Sequence, residues 1–275
     1  MPIMKFPPYP HDFQIHSNFS DGREELEVIV EAAVVNGLKL LCITDHAKGW
    51  QEGKTTFDFF SNSKVFTEYI KRIEILRETY RDSGVTILTG LEVEVSIDGS
   101  LRLADGILEV ISDETCLKDY IDVVVGVIHS ESFEEDIANN STLDIAKKEQ
   151  IHLKNIKNLI LNNQIDIWGH PLQSIHGQFS RQFNSHELAE ICKTLARRND
   201  FAIELNLNPR PTYTKWNGTT NRYDRGLTVS DGAFYAKVAA HAPIVVSSDA
   251  HDLGQLNRHQ ILETHAGYAF VGVHE

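Results

Sequence analysis

Cysteine is scarce in this 275-residue chain: Cys42, Cys116 and Cys192 stand far apart. They form neither a disulfide framework nor a C-x-x-C clip, which argues against a disulfide-stapled scaffold and a thiolate zinc staple. Positive charge is also short, with 26 Lys and Arg against 39 Asp and Glu, a formal charge of −13 at pH 7 with His neutral. A general nucleic-acid surface needs clustered cations to neutralise phosphates, so this balance opposes one while leaving room for a locally positive pocket. No apolar run approaches the ~20 residues of a membrane-spanning helix. The proline-rich opening MPIMKFPPYP lacks the cationic-then-apolar design of a secretory signal. These absences point to the cytoplasm and away from a membrane partner. Linkers, low-complexity tracts and fixed-period repeats are missing as well. Residues 1–275 are therefore expected to form a single domain, of the length that α/β barrels need before insertions (~200–250 residues).

What is present is a recurring strand-like apolar run, a polar loop, and then a segment of helical periodicity. The runs Phe13–His16, Lys39–Thr44, Thr86–Val95, Asp122–His129, Ile165–His170, Ala202–Asn206 and Pro243–Ser248 are short and rich in Val, Ile and Leu. Several are apolar on both faces, as suits a parallel sheet covered by helices. Helices are expected over Glu24–Val35, Val65–Asp82, Leu143–Asn162, His186–Arg198 and Asp231–Ala240. The first has Ser20 or Asp21 as a candidate cap and Asn36-Gly37 as its end. Asp98-Gly99 predicts a hairpin between Glu92–Ser96 and Ser100–Leu103. Alternation on this scale reads as α/β.

Thirteen histidines are present, and their placement matters more than their number. His16, His129 and His170 end strands, His46 follows one, Glu92 lies within one, and Asp249 and His251 follow the last. In a barrel of parallel strands, side chains at the carboxyl ends converge on one mouth. A lone histidine there is more often structural; repetition at strand after strand is not. By contrast His152, His186, His241, His259 and His265 fall on helices and loops as surface histidines do. Imidazole and carboxylate together suit Zn, Mn and Fe, and a carboxylate such as Glu92 can bridge two cations. Grouped His, Asp and Glu without Cys thus indicate a catalytic multi-metal site.

The segments QIHSNFSDG, ITDHAKG, GLEVE, VIHS, WGHP and SSDAH, in that order, resemble the polymerase and histidinol phosphatase (PHP) superfamily over about Phe13–His251. ITDHAKG, GLEVEVSIDGSL and IELNLNP are similar to the PHP domain of bacterial family X DNA polymerases, here expected as a stand-alone protein. The resemblance implies a distorted (β/α)7 TIM-like barrel with up to three divalent ions (Mn, Zn or Fe). Matched position by position, His16, Glu92 and Asp249 would hold one metal. Glu92, His129 and His170 would hold a second, and Asp21, His46 and His251 a third. The usual H-x-H opening has Gln14 at its first position, a neutral and weaker ligand than imidazole.

The function implied is a metal-dependent phosphoesterase in which a metal-bound hydroxide near Glu92 and Asp249 attacks phosphorus, with no nucleophilic side chain or G-x-S-x-G signature required. The expected partner is a small phosphomonoester of the histidinol phosphate type; a nucleic-acid 3′ end is the alternative, and no obligate protein partner is evident. A non-catalytic module would show losses across the ligand set, whereas eight of nine positions match here. A carbon–nitrogen hydrolase is disfavoured by Asp21 joining His46 and His251. Lys48 and Arg210 are candidate phosphate cations, with loop cations as the alternative. Asp45 is a candidate imidazole partner or helix cap. Arg222 and Arg225 lie in the polar loop Thr212–Thr228, Trp50 and Trp216 are candidate stacking or packing residues, His176 reads as a non-ligand and Cys42 as core. The pairs Lys147-Lys148 and Arg197-Arg198 are expected on helices outside the barrel.

Overall fold

The structure is a computed structural model that describes residues 10–48, 59–111, 115–129, 145–172, 183–207 and 229–256. Seven parallel strands follow one another around a single sheet: β1 (His11–Asp12), β2 (Leu40–Ile43), β3 (Thr86–Val95), β5 (Val123–Val127), β6 (Ile167–Trp168), β7 (Ala202–Asn206) and β8 (Ile244–Ser247). The remaining strand, β4 (Leu101–Arg102), folds back antiparallel onto β3, with Glu94 opposite Arg102 and Val95 opposite Leu101. This is the expected hairpin, turning at Asp98-Gly99 with Gly99 at φ 87°. Around the strands lie α1 (Leu26–Val35), α2 (Ser63–Thr79), α3 (Asp105–Leu108), α4 (Ile145–Leu161), α5 (Ser185–Leu195), α6 (Val229–Val238) and α7 (Leu253–Leu256).

The sheet closes between its two ends without a regular ladder. Ile15 pairs with Ala250 in one parallel bridge, His16 N donates to Ala250 O at 2.9 Å, and Asp249 N donates to Gln14 O at 2.9 Å. Side chains supply the rest. Asp12 accepts from Gln14 N at 3.1 Å and Ser248 N at 3.0 Å, and His11 Nε2 accepts from Val246 N at 3.0 Å. This corrects the expected first strand. The regular ladder covers His11–Asp12, because the amides of Gln14 and Ile15 are taken by Asp12 Oδ1 and Thr44 Oγ1 instead of a neighbouring strand. The result is a distorted (β/α)7 barrel.

Alternation along the strands separates two cores. Leu41, Ile43, Leu91, Val93, Val124, Ile203 and Val246 face the helices and join one large apolar cluster. Phe13, Cys42, Val123, Val125, Val127, Ile167, Ala202 and Val245 form a second cluster inside the barrel. Cys42 is thus core, as expected, and burial raises its thiol pKa. Following the inward register toward the carboxyl ends, apolar residues give way to polar ones. Cys42 leads to Thr44 and His46, Val127 to His129, Val245 to Ser247 and Asp249, and Leu88 through Gly90 to Glu92 and Glu94. The lower barrel is a plug and the upper barrel a polar mouth.

Two devices hold the β3 end in place. The Tyr69 hydroxyl, buried on α2, donates to Ile43 O and Gly90 O at 2.9 and 2.8 Å. Asn155 and Asn158 on one face of α4, and Asn162 just past its end, donate to the carbonyls of Val95, Ile97 and Gly99 at 3.1–3.2 Å, pinning the hairpin. α1 ends at Asn36-Gly37 as expected, with Gly37 at φ 73°. Its start is a correction: Glu25 precedes it with no side-chain cap, because Ser20 and Asp21 are engaged at the mouth. His152 is a second correction, a helical histidine that is 4 % exposed rather than on the surface.

Candidate metal centre

The carboxyl end of β3 places Glu92 at the middle of the mouth, 2 % exposed. Its Oε1 lies 3.3 Å from His129 Nε2, 3.5 Å from His170 Nε2 and 3.6 Å from His46 Nδ1. Its Oε2 lies 3.2 Å from His16 Nε2, which is also 3.2 Å from Asp249 Oδ1. Toward the rim, Asp21 approaches His46 Nε2 at 3.5 Å, His251 Nε2 at 3.4 Å and His16 Nδ1 at 3.8 Å. Among the described residues three clusters result: His16, Glu92 and Asp249; Glu92, His129 and His170; and Asp21, His46 and His251 with His16. Glu92 belongs to two of them and His16 to two. The first is buried, whereas the Asp21 side chain is 46 % exposed, so the site opens to solvent past Asp21, His46 and His251.

These spacings fit divalent cations. Two donors each ~2.1 Å from one tetrahedral ion stand about 3.4 Å apart, close to the separations here. Yet His16 Nε2 and Glu92 Oε1 are buried without an aligned hydrogen bond. Donor atoms that face a common point rather than one another sit in this way. The electrostatics say the same. Burial disfavours the Glu92 carboxylate, but four imidazoles outweigh it and hold its pKa well below the usual range. Burial likewise disfavours Asp21 ionisation, and His251 and His46 overcome it. His16 is raised despite burial by Asp249 and Glu92, and His129 is pushed up to about 10 by Glu92 and Glu94. Buried carboxylates recruit whatever positive charge is at hand, which is protons on the imidazoles when no cation is present.

Backbone strain is concentrated at this site. His170 and Asp249 have φ of 29° and 50°, values that non-glycine residues adopt rarely. Each is held by its own N–H: His170 N donates to Glu204 Oε2, and Asp249 N to Gln14 O. Gly169 stands beside His170 because a Cβ there would meet Val125 and Val127 at 2.7 Å. Gly22 is needed too: a Cβ would lie 2.2 Å from His16 O, so only glycine lets the Asp21 loop fold back onto the segment that follows β1.

Gln14 reaches the same place by its amide nitrogen. Nε2 lies 2.5 Å from Glu92 Oε2 and 3.5 Å from Asp249 Oδ1, while Oε1 is buried without a hydrogen bond. Asp45 plays neither role expected of it. Its carboxylate accepts from Ser17 N at 2.8 Å, Ser17 Oγ at 2.6 Å and Ser20 Oγ at 2.5 Å, tying down the loop that presents Asp21. Lys48 is half-buried two residues beyond His46. Arg210, Arg222, Arg225, Trp50, Trp216, His176 and the 212–228 loop lie outside the described residues.

Two carboxylates escaped the sequence reading. Glu94 Oε1 is 2.7 Å from His129 Nδ1. Glu204 is fully buried on β7; burial and the charge of Asp249 push its pKa up to about 8. Asn206 Nδ2 links it to Asp249, at 3.3 and 3.2 Å. For Glu94 the signal was its place two residues from Glu92 on the same inward register, whereas Glu204 and Asn206 have no earlier-named site residue beside them on β7.

A family model of the PHP domain matches residues 12–208. Among curated proteins, the chain is 24% identical over 247 residues to the DNA polymerase/3′-5′ exonuclease PolX of Bacillus subtilis (strain 168), covering 90% of this chain and 35% of that protein. It is 30% identical over 143 residues to a probable phosphatase of Caldanaerobacter subterraneus subsp. tengcongensis, covering 51% of this chain and 42% of the other. The matches therefore span less than half the length of these relatives. Among solved structures, the histidinol phosphate phosphatase of Lactococcus lactis subsp. lactis Il1403, complexed with zinc, L-histidinol and phosphate, superposes with a TM-score of 0.57 at 17% identity. That superposition covers 94% of this chain and 93% of the other. Among the described residues, no helix is long and apolar enough to cross a membrane.

Proposed function

The chain belongs to the PHP domain family, and from that premise we propose that it is a metal-dependent phosphoesterase acting on a small phosphomonoester at a site for three divalent cations. The observation that carries this is Glu92, a buried carboxylate whose two oxygens face different histidine clusters. His16, Glu92 and Asp249 would hold the first cation, with Gln14 beside them. Glu92, His129 and His170 would hold the second, and Asp21, His46 and His251 the third. Mn, Zn and Fe all suit such mixed donors. Divalent ions bound there would supply Lewis acidity toward phosphate oxygens and would lower the pKa of water toward ~7.

The chain's own residues do the rest. The buried strand ends hold Glu92 and Asp249 at fixed separation, and the 17–21 loop carries Asp21 to the exposed side, where a phosphate would enter. Lys48 and Arg210 are the cations we assign to that phosphate. A single phosphate needs only local positive charge at the mouth of a chain of net charge −13, whereas a tracked polymer needs a continuous basic stripe. Arg198, one of the paired basic residues and just beyond α5, is committed instead to the carbonyls of Ile160, Asn162 and Ile165.

A second reading, hydrolysis at a nucleic-acid 3′ end, is favoured by the similarity to PolX across 90% of the chain. The test is a screen with metal-stripped protein re-loaded separately with Mn, Zn, Fe and Mg. It compares kcat/KM for a monoester panel that includes histidinol phosphate with that for a single-stranded oligonucleotide, at two salt concentrations. Faster monoester turnover is expected. Preference for the oligonucleotide, growing as salt is lowered, would establish the nuclease reading instead.

A further inference from the structure

Glu94 follows Glu92 by two residues on the inward register of β3, is 7 % exposed, and takes no place in the three clusters. Its Oε1 stands 2.7 Å from Nδ1 of His129, whose other nitrogen, Nε2, is 3.3 Å from Glu92 Oε1 on the side shared with His170. A neutral imidazole has one N–H and one lone pair, and a carboxylate can only accept. With Glu94 against Nδ1, the tautomer protonated at Nε2 would set a lone pair against a carboxylate and turn an N–H toward the cluster. The Nδ1–H tautomer satisfies both sides.

We propose that Glu94 is a positioning residue: its carboxylate holds His129 as the Nδ1–H tautomer, so that Nε2 offers its lone pair to the cation of the Glu92 cluster. The inference rests on the reading that this cluster binds a cation. One strand then supplies both the carboxylate shared between two clusters and, one register step on, the group that orients a neighbouring imidazole. The hairpin matters to this arrangement, because Glu94 stands opposite Arg102 in the β3–β4 pair and Asn155 fixes the next carbonyl, Val95 O.

The first readout needs no variant. In zinc-loaded protein labelled with 15N-histidine, His129, assigned by its loss in His129→Gln, should carry its proton on Nδ1 and be shifted at Nε2 by the metal. A proton on Nε2 with zinc at Nδ1 overturns the proposal. The second readout is zinc affinity by chelator competition. Glu94→Leu should weaken one equivalent by ~10–100-fold, the usual cost of losing a carboxylate behind a ligating imidazole. Glu94→Gln, which retains an acceptor oxygen, should recover much of that loss. In a His129→Gln background Glu94→Leu should add little, because the two residues act as a unit. Unchanged affinity in folded Glu94→Leu overturns the proposal while leaving the site reading intact. A wild-type protein with no cation at the Glu92 cluster overturns that reading itself, and the inference with it.

Discussion

Glu92→Gln is the sharpest test of the proposed centre, because the residue's place in two clusters predicts how many ions its loss should cost. Glu92 belongs to two of the three clusters, and the third, His16 with Asp21, His46 and His251, does not contain it. The substitution preserves shape and removes one buried charge. An amide can offer one oxygen to one cation, but its NH2 must then face imidazole nitrogens that now lie 3.2–3.6 Å from a carboxylate. Losing a group behind a ligand costs ~10–100-fold in affinity, so losing a shared ligand should cost at least ~100-fold at each cluster. That is about 2.8 kcal/mol per ion at 1.4 kcal/mol per tenfold. Metal analysis after dialysis against a weak chelator should therefore show the count falling from three toward one. Phosphomonoesterase kcat/KM should fall at least ~10³-fold. The fold should persist by circular dichroism, because no large apolar area is exposed. Three retained ions with near-normal turnover would refute the shared-ligand argument. A large loss of melting temperature with normal turnover per folded molecule would instead make Glu92 a structural ion-pair partner.

The other predictions follow from neighbouring residues. Gln14→His should tighten metal retention against a chelator, since imidazole is the stronger donor for borderline ions; an unchanged or looser count would mean that Gln14 serves only as a hydrogen-bond donor to Glu92 and Asp249. Asp45→Ala removes the acceptor of three hydrogen bonds and should cost ~2–4 kcal/mol in urea unfolding. It should also release the ion nearest Asp21 first, and equal weakening of all ions would argue against a local role for that loop. The pH dependence of metal-free protein should run opposite to that of loaded protein. His129, raised to about 10, and His16 contribute stability present below ~6.5 and lost as pH rises through their folded values, whereas Glu92 and Asp21 contribute stability lost as pH falls below ~4. Metal-free melting temperature should thus decline from pH 6.5 to 9 while the stabilisation by added zinc grows, since cations and protons compete for the same nitrogens. A metal-free melting temperature that climbs over that range would contradict the buried pairing.

Much of the site was legible because a strand repeats every two residues. Once Cys42, Val127 and Val245 are inward, His46, His129 and Asp249 follow in the same register. β3 and β7 were read to their observed ends, since continuous apolar runs bounded by polar turns need no distant partner to be recognised. The failures share a different physical cause. Phe13 faces the inner core and yet Gln14 and His16 both reach the mouth, a change of parity that follows from Asp12 capturing the Gln14 amide and Ser248 across the barrel seam. Asp45 was open to two roles because its acceptors' partners, Ser17 and Ser20, lie 28 and 25 residues earlier. His152 has the spacing of a surface helical residue, and only the packing of α4 buries it. Glu204 looks like any strand glutamate until β6 brings His170 alongside it, and Glu94, though in register with Glu92, shows its partner only when β5 brings His129. Local periodicity and turn chemistry determined the strands, their α/β alternation and the histidines at the strand ends, while the barrel class and the full site set were what the family resemblance implied. Which atom faces which, and so what each carboxylate does, was decided by closure of the barrel, because those contacts join residues that no local pattern connects.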